Sequence, residues 1–329
     1  MNLSAPAENH IARRLISLPE TVRWSEIGTS VGGRPIFGIE AGTGPFRISV
    51  TAGAHSDEPA GPLAALALAE SLDPHLLKRT TWRICPHVNP DGAERNAAWF
   101  AEPPDPICYA RHAFREGPGD DVEFNYPPVV REARSPRPEN ETVARFLRAG
   151  APYDFHISLH GMGFAEGAWW LIGRDNVEAT AKLRPKLERL FTDAGFPLHD
   201  VDRGGEKGFF RIAPGFGTTP TSVAMREFFQ QQGDLATGAL MLPSSMEFVQ
   251  SLGGKPVVMV SELPIFMIKG DYFEFRRRFA EARTQLASCD EEPLRKLLAE
   301  FQVRAVPFAT QVEVLRKAVL ETVDFLRHQ

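Results

Sequence analysis

The chain has 329 residues, of which 43% are hydrophobic, and its formal net charge is −5. This hydrophobic content is enough for a substantial core, and the mixed charges give no basic surface for nucleic acid or anionic membranes. Cys85, Cys108 and Cys289 are an odd number without metal-site spacing, which predicts free thiols and a reducing compartment. The first 20 residues lack the apolar segment of a signal peptide, and no run could span a membrane, so we expect a cytoplasmic protein.

Alternating strand and helix patterns predict an α/β fold, a single large domain with a mixed, mostly parallel sheet flanked by helices. Apolar and β-branched runs predict strands at 24–28, 36–39, 46–52, 80–86, 153–159 and 256–261. The Gly32-Gly33 pair supplies a hairpin turn between the first two. Helices are predicted from Pro62, over 139–149 and over 176–194, where Pro185 should kink or divide the last one.

Segments rich in proline, glycine and charge separate these elements. Residues 100–138 and 202–220 predict long loops, which in a compact domain are usually functional or disordered. Residues 272–329 are helical in pattern and highly charged, with a break near Val306-Pro307. We therefore divide the chain into a lead-in over 1–20, a main domain over 21–270 and a C-terminal helical extension over 271–329.

The segment 48–59 contains the first candidate for chemistry. A β-branched strand stops at Gly53 and is followed by His55 and Glu58 in a loop. Imidazole and carboxylate three residues apart can hold one metal ion from the same side, and two histidines, a glutamate and water form a known catalytic zinc set. The carboxyl end of a strand is where open α/β sheets bind ligands. An isolated His-x-x-Glu also fits a helix-start carboxylate beside an unrelated histidine.

A third ligand is expected at another strand end. The strand period puts His156, Ser158 and His160 on one face of the strand that begins near residue 153. His160 is the preferred ligand because it is last before a pair of nearby glycines. His156 supports it or is a hydrogen-bonded interior histidine. His87 also follows a strand and is the rival ligand.

Glu262 follows four apolar residues and precedes Leu263-Pro264. A carboxylate there is costly to bury without a partner. It could form an ion pair with one of the many arginines. Beside a metal it could instead act as a general base that takes a proton from water.

Six short motifs occur in one order over residues 24–268: Glu26-Ile27-Gly28 with Gly33-Arg34-Pro35-Ile36, Gly53-Ala54-His55-Ser56-Asp57-Glu58-Pro59, Asn89-Pro90-Asp91-Gly92, Glu123-Phe124-Asn125, Ser158-Leu159-His160-Gly161, and Ser261-Glu262-Leu263. In this order they resemble the zinc carboxypeptidase family of metallopeptidases. The resemblance implies one zinc ion per chain, held by His55, Glu58 and His160, with Glu262 as base and proton shuttle. It makes residues 21–270 the catalytic domain.

The resemblance also implies that Asn125 and an upstream arginine hold the substrate and polarise the scissile carbonyl. The spacing from Asn125 favours Arg115 for this role, with Arg111 and Arg95 as alternatives.

Two departures from the family pattern concern substrate specificity. Members that cleave C-terminal residues have an arginine directly after the motif asparagine, where this chain has Tyr126, the third candidate for substrate binding. They also have a capping tyrosine before the base, which this chain lacks. We therefore expect little preference for a free C-terminal carboxylate unless Arg203, Arg211 or Arg226 supplies a clamp, and surface positions are expected for all three.

The sequence favours a zinc hydrolase that cleaves an amide bond in a peptide or an acylated amino acid. The close alternative is a deacylase that resembles succinylglutamate desuccinylase or aspartoacylase, which share the same ligand arrangement. A different class, a non-catalytic member that binds a ligand in the cleft, is disfavoured because all four site residues are present. No G-x-S-x-G motif and no phosphate-binding glycine loop occur in the sequence.

Overall fold

The computed structural model describes residues 7–128, 135–286 and 290–329. Cys289 lies outside these ranges, while Cys85 and Cys108 are free thiols. Burial raises the pKa of the Cys85 thiol to about 12. No helix of the described ranges is both long and apolar enough to cross a bilayer.

One mixed sheet contains the ten strands found in the described ranges, and its central strands are parallel. The strands are β1 (Val22–Thr29), β2 (Pro35–Ala41), β3 (Phe46–Ala52), β4 (Thr80–Cys85), β5 (Phe155–Ala165), β6 (Trp169–Ile172), β7 (Arg211–Ala213), β8 (Phe216–Thr218), β9 (Val257–Met267) and β10 (Arg304–Ala305). Their order is β1-β2-β4-β3-β5-β9-β6-β8-β7, and β10 pairs with β9. Strands β4, β3, β5 and β9 run parallel. The pairs β1–β2, β2–β4 and β6–β9 are antiparallel, and β6 is parallel to β8. The predicted fold class is confirmed.

Helices cover both faces of the sheet. The helices are α1 (Ala7–Ile16), α2 (Ala60–Glu70), α3 (Pro74–Leu77), α4 (Pro90–Arg95), α5 (Pro106–His112), α6 (Pro138–Arg148), α7 (Arg184–Asp193), α8 (Ser222–Gln231), α9 (Leu235–Ala239), α10 (Ser245–Ser251), α11 (Tyr272–Gln285), α12 (Glu292–Glu300) and α13 (Phe308–Arg327). On one face, α2 and α13 pack together in the larger core. On the other, α6 and α10 close a smaller core around Phe146 and Phe248. These cores hold the strand ends that carry the site.

The predicted hairpin is present, and its turn places Gly33 at φ +79°. Three other expectations about local structure were wrong. The helix expected over 176–194 is shorter and consists of α7 alone. Pro185 lies in the first turn of α7, where a backbone N–H has no partner within the helix, so the helix begins there. The loop expected over 202–220 contains β7 and β8, and that over 100–138 contains α5.

The strands that carry His160 and Glu262 continue past both residues, whereas the sequence predicted that they end there. Glycines after His160 and Pro264 after Glu262 suggested the early ends. In the structure, β6 pairs with β9 only up to Glu262, and β10 pairs with it from Phe266. Pro264 therefore lies where β9 has a partner strand on one side, so its missing N–H is tolerated. Both site residues are held in the middle of paired strands.

Candidate metal centre

A tight turn at the end of β3 presents the first two donor side chains. The N–H of Glu58 donates to the carbonyl of His55 at 3.3 Å, which brings both side chains to the same side. Nδ1 of His55 lies 3.0 Å from Oε1 of Glu58. Gly53, with φ +71°, makes the bend before the turn, and a Cβ there would lie 2.4 Å from Cδ2 of His87.

Paired strands bring His160 and Glu262 beside this turn. In the parallel pairing of β5 with β9, His160 is opposite Glu262, and in the antiparallel pairing of β6 with β9, Trp169 is also opposite Glu262. Residues opposite each other project from the same face of a sheet. The strand period also puts Ser158 on the His160 face, as predicted, and its hydroxyl lies 2.9 Å from Nε2 of His160.

The donor atoms of His55, Glu58 and His160 converge. Nδ1 of His160 lies 3.0 Å from Nδ1 of His55 and 2.9 Å from Oε2 of Glu58. Two ligands bound at about 2.1 Å in a tetrahedral site are roughly 3.4 Å apart, so these spacings are close to those that a zinc ion needs. The three residues could hold a metal ion, and two imidazoles and a carboxylate are the donor set that catalytic zinc prefers.

Two acids lie behind the histidines, and the buried one, Glu123, is close enough to set the orientation of His160. Nε2 of His160 lies 3.0 Å from Oε2 of Glu123, and Nε2 of His55 lies 3.8 Å from Oδ1 of Asp121. A carboxylate that accepts from the far N–H of an imidazole fixes the tautomer that points its other nitrogen at a metal. The sequence alone gave no role to either acid.

The electrostatics of the centre favour a positive charge. Burial disfavours a charged His160, but the carboxylates of Glu123 and Glu58 outweigh it and raise its pKa well above the ordinary value. Burial would likewise raise the pKa of Glu58, but His55 and Arg115 hold it well below the ordinary value. Acids gathered in this way are stabilised by a cation at their centre, which fits a metal ion.

Glu262 lies at the same centre without a partner of its own. Its Oε2 is buried and accepts no hydrogen bond, and within the described ranges it forms no salt bridge. Burial, followed by the charge of Glu58, raises the pKa of Glu262 well above its ordinary value. The expected alternative, an ion pair with an arginine, finds no partner in this part of the chain.

Of the three arginines considered for the carbonyl, Arg115 alone lines the cleft at the metal centre. Its Nε donates to Oδ1 of Asp57 at 2.8 Å, and it is ion-paired with Glu58. Arg111 is ion-paired with Glu291, and Arg95 stacks over the ring of Phe114.

Asn125 and Tyr126 are buried and do not line the cleft. The amide of Asn125 is buried and bonds backbone groups, accepting from the N–H of Arg137 at 2.9 Å. Tyr126 is buried and stacks on Phe248 at 5.7 Å between ring centres. Neither is among the residues that line the cleft, so their roles in substrate binding stay predictions.

His156 and His87 do not belong to the ligand cluster. His156 is an interior histidine between Ser49, at 2.9 Å, and Ser245, at 3.2 Å, and burial lowers its pKa to about 3. Burial also lowers the pKa of His87, to about 4.

The first and third sequence motifs are joined by hydrogen bonds to Asp91. The carboxylate of Asp91 accepts hydrogen bonds from the Ser30 hydroxyl and the Gly32 N–H, both at 2.7 Å, and from Arg34 at 2.9 Å. Burial would raise the pKa of Asp91, but these bonds lower it. The motif residues thus tie the first hairpin to α4.

A cleft of about 750 Å³ opens over the centre. Besides the centre, its walls come from the end of β5, the loop before β7 and helix α11, and they include Trp169, Arg203, Phe209, Tyr272 and Arg276. Of these, only Arg203 was a candidate from the sequence, because the others lie outside every motif. The other two clamp candidates are engaged elsewhere: Arg211 is ion-paired with Asp200, and Arg226 donates to the carbonyl of Met241.

Comparisons with known proteins agree with this geometry. A family model described as zinc carboxypeptidase matches residues 8–165, which confirms the resemblance seen in the motifs. A solved structure from Shewanella amazonensis, assigned as a metallopeptidase, has 15% identity and a TM-score of 0.57 and covers 97% of this chain and 91% of its own. One from Shewanella baltica has 14% identity and a TM-score of 0.58, with 97% and 89% covered. At such identity these likenesses establish the fold. A search of curated proteins finds no significant match.

A metallo-carboxypeptidase from Pseudomonas aeruginosa, solved with (2-guanidinoethylmercapto)succinic acid, has 16% identity and a TM-score of 0.50, with 97% of this chain and 68% of its own covered. The family match, the donor set and the fold agree with one another. The chain resembles the zinc metallocarboxypeptidases, and zinc is the metal of the matched family.

Proposed function

We propose that this hydrolase cleaves an amide bond in a peptide or an acylated amino acid, and that Glu262 is its general base. The observation that carries the proposal is the position of Glu262, which faces the cleft opposite His160 with a buried, unpartnered carboxylate oxygen. His55, Glu58 and His160 would hold the zinc ion. When bound, zinc lowers the pKa of a water ligand and polarises a carbonyl.

In this reaction Glu262 would transfer the proton. Glu262 accepts a proton from the attacking water as the new C–O bond forms. It returns that proton to the amide nitrogen as the C–N bond breaks, which leaves a carboxylate and an amine. Burial and the charge of Glu58 raise the pKa of Glu262, which strengthens it as the base that accepts the proton from water.

Arg115 is placed to stabilise negative charge on the carbonyl oxygen. Its side chain is 42% exposed toward the cleft, while two acids hold its guanidinium in position beside the metal ligands. A fixed donor aimed at the place where charge develops is a major source of rate enhancement.

Replacing Glu262 by glutamine tests the proposal. The amide keeps the shape of the side chain but cannot accept the proton, so hydrolysis should fall by at least about 10² while zinc content stays unchanged. Glu313→Gln, on the surface of α13, is the control and should keep full activity. Undiminished turnover by Glu262→Gln would reject the base assignment, and zinc binding without any turnover in the wild type would favour a non-catalytic member.

A deacylase of N-acyl amino acids would use the same residues. The buried Tyr126, in the place of a clamp arginine, does not separate the two candidates, because an N-acyl amino acid also carries a free carboxylate beside the scissile amide. Parallel assays on a peptide and on an N-acyl amino acid distinguish the two activities.

A further inference from the structure

Helix α11 belongs to the C-terminal extension and lines the cleft, although no role for this extension follows from the sequence alone. It contacts α5, the short helix that ends at His112, three residues before Arg115. Whatever fixes α5 therefore also limits where the backbone of Arg115 can lie. The contacts between α11 and α5 are of two kinds, hydrogen bonds and packed rings.

Arg283, in the last turn of α11, binds the end of α5. Its Nε donates to the carbonyl of Ala110 at 2.7 Å, and one of its terminal nitrogens donates to the carbonyl of Ala113 at 2.8 Å. Ala113 caps α5 and lies two positions before Arg115. Carbonyls at the end of a helix have no partner within it, so a basic side chain that binds them satisfies groups that would otherwise need water. A planar guanidinium bound at two points also fixes the end of α5 more firmly than one hydrogen bond could.

Packed rings join the same two helices at a second place. Tyr109, on α5, has its ring centre 5.7 Å from that of Phe164, with the rings edge to face. The ring centre of Phe164 in turn lies 4.9 Å from that of Phe275 and 4.6 Å from that of Phe279, both on α11. Such distances are typical of stabilising aromatic pairs. Gly163 makes room for this arrangement, because a Cβ there would lie 2.6 Å from the hydroxyl of Tyr109.

Asp57 connects α5 to the side chain of Arg115. One oxygen of its carboxylate accepts from the Tyr109 hydroxyl at 3.2 Å, and the other accepts from Nε of Arg115 at 2.8 Å. Asp57 is only 6% exposed, so both bonds are shielded from water. A displacement of α5 would move Tyr109 and with it the carboxylate that orients the guanidinium. The position of Arg115 thus depends on α5 through its side chain as well as through its backbone.

Two other contacts decide how far α5 depends on Arg283. Arg111 is ion-paired with Glu291 at the N-cap of α12, but these side chains are 43% and 27% exposed, and pairs so open to water contribute little. Independently of α11, the N–H of Phe114 donates to Oδ1 of Asn96 at 2.9 Å. This bond remains when Arg283 is replaced, so we expect α5 to loosen and not to unfold.

We infer that Arg283 is a positioning residue for Arg115, and that the C-terminal extension takes part in catalysis by holding α5 in place. This inference rests on the proposed role of Arg115, which is to stabilise negative charge on the carbonyl oxygen. A donor works only when it is fixed where that charge develops, and a misplacement of about 1 Å can lower a rate about 10²-fold. Because the bond from Phe114 to Asn96 remains, the expected loss in Arg283→Gln is smaller, about 5- to 30-fold in kcat.

A double-mutant cycle on kcat tests the inference, with N-benzoylglycyl-phenylalanine or N-acetyl-phenylalanine as substrate, whichever the wild type hydrolyses faster. Arg283→Gln should lower kcat as stated and leave KM and zinc content within about twofold, and Arg283→Lys, which can still donate to a carbonyl, should recover most of the loss. In an Arg115→Ala background, Arg283→Gln should change kcat by less than about twofold, because its effect passes through the missing guanidinium. An equal loss in both backgrounds, or no loss in either, would overturn the inference.

Hydrogen exchange separates this inference from the proposed reaction, because mass spectrometry follows the backbone amides of residues 106–116 without turnover. Exchange there should be at least about fivefold faster in Arg283→Gln than in the wild type. The matched control Arg277→Gln should leave it unchanged, since Arg277 is ion-paired with Glu281 on the same helix. If the wild type shows no turnover but exchange is faster in Arg283→Gln, the hydrolase proposal fails and the role of Arg283 in fixing this segment stands. Unchanged exchange in Arg283→Gln would show that α11 does not hold α5, and the inference would be wrong.

Discussion

Replacing Glu123 by glutamine should weaken zinc binding about 10- to 100-fold, because the carboxylate orients a metal ligand. Oε2 of Glu123 lies 3.0 Å from Nε2 of His160, and the two side chains are only 6% and 2% exposed. The neutral amide fits the same space, so packing is kept. Its oxygen accepts from Nε2–H of His160 more weakly than a carboxylate does, so it holds less firmly the tautomer that points Nδ1 of His160 at the metal. The loss corresponds to about 1.4–2.7 kcal/mol of binding free energy.

The affinity is measured by competition with a chromogenic chelator. The Ser158 hydroxyl, 2.9 Å from the same nitrogen, remains in the variant and should place the effect toward the lower end of the range. Glu139→Gln is the control, because Glu139 is equally buried but binds the N–H of Val31 and the side chain of Arg137. An unchanged affinity in Glu123→Gln, or an equal loss in the control, would refute the reasoning.

Three further predictions concern stability and rate. His156, neutral in the fold with a pKa of about 3, is protonated in the unfolded chain below about pH 6.5. Stability should therefore fall as the pH drops below that value, by about 2 kcal/mol at pH 5, and urea unfolding of His156→Gln should show a smaller drop. Gly53→Ala, at φ +71° and against His87, should cost on the order of 1–3 kcal/mol, and more than Gly33→Ala, whose Cβ would meet open space, in the same urea assay. Arg115→Ala should lower kcat by about 10²–10³ with zinc retained, and unchanged kcat would remove it from the carbonyl site.

The sequence predicted the four site residues that lie on strands or directly after them. His55 and Glu58 come directly after a β-branched strand, and His160 and Glu262 lie within two others, so parallel pairing brings all four together. The ends of β5 and β9 were predicted too early. A proline interrupts a strand only where its missing N–H is needed for pairing, and at Pro264 strand β9 is paired on one side. The ligand cluster did not depend on where the strands ended.

The walls of the cleft could not be predicted in the same way. Tyr272 and Arg276 come from a helix that follows β9, and nothing in its sequence pattern shows which side faces the metal centre. Asn125 and Tyr126 illustrate the opposite limit, since motif spacing places their backbone near the site but does not determine side-chain direction. In the structure both side chains are buried, and neither lines the cleft.

The central claim is that His55, Glu58 and His160 hold one zinc ion. Elemental analysis of dialysed protein tests it most directly, with wild type, His160→Ala and the exposed-surface control His75→Ala measured side by side. Wild type and His75→Ala should retain one equivalent of zinc per chain, while His160→Ala, left with two ligands, should lose it. Full zinc in His160→Ala, with loss from His87→Ala instead, would contradict the proposed centre.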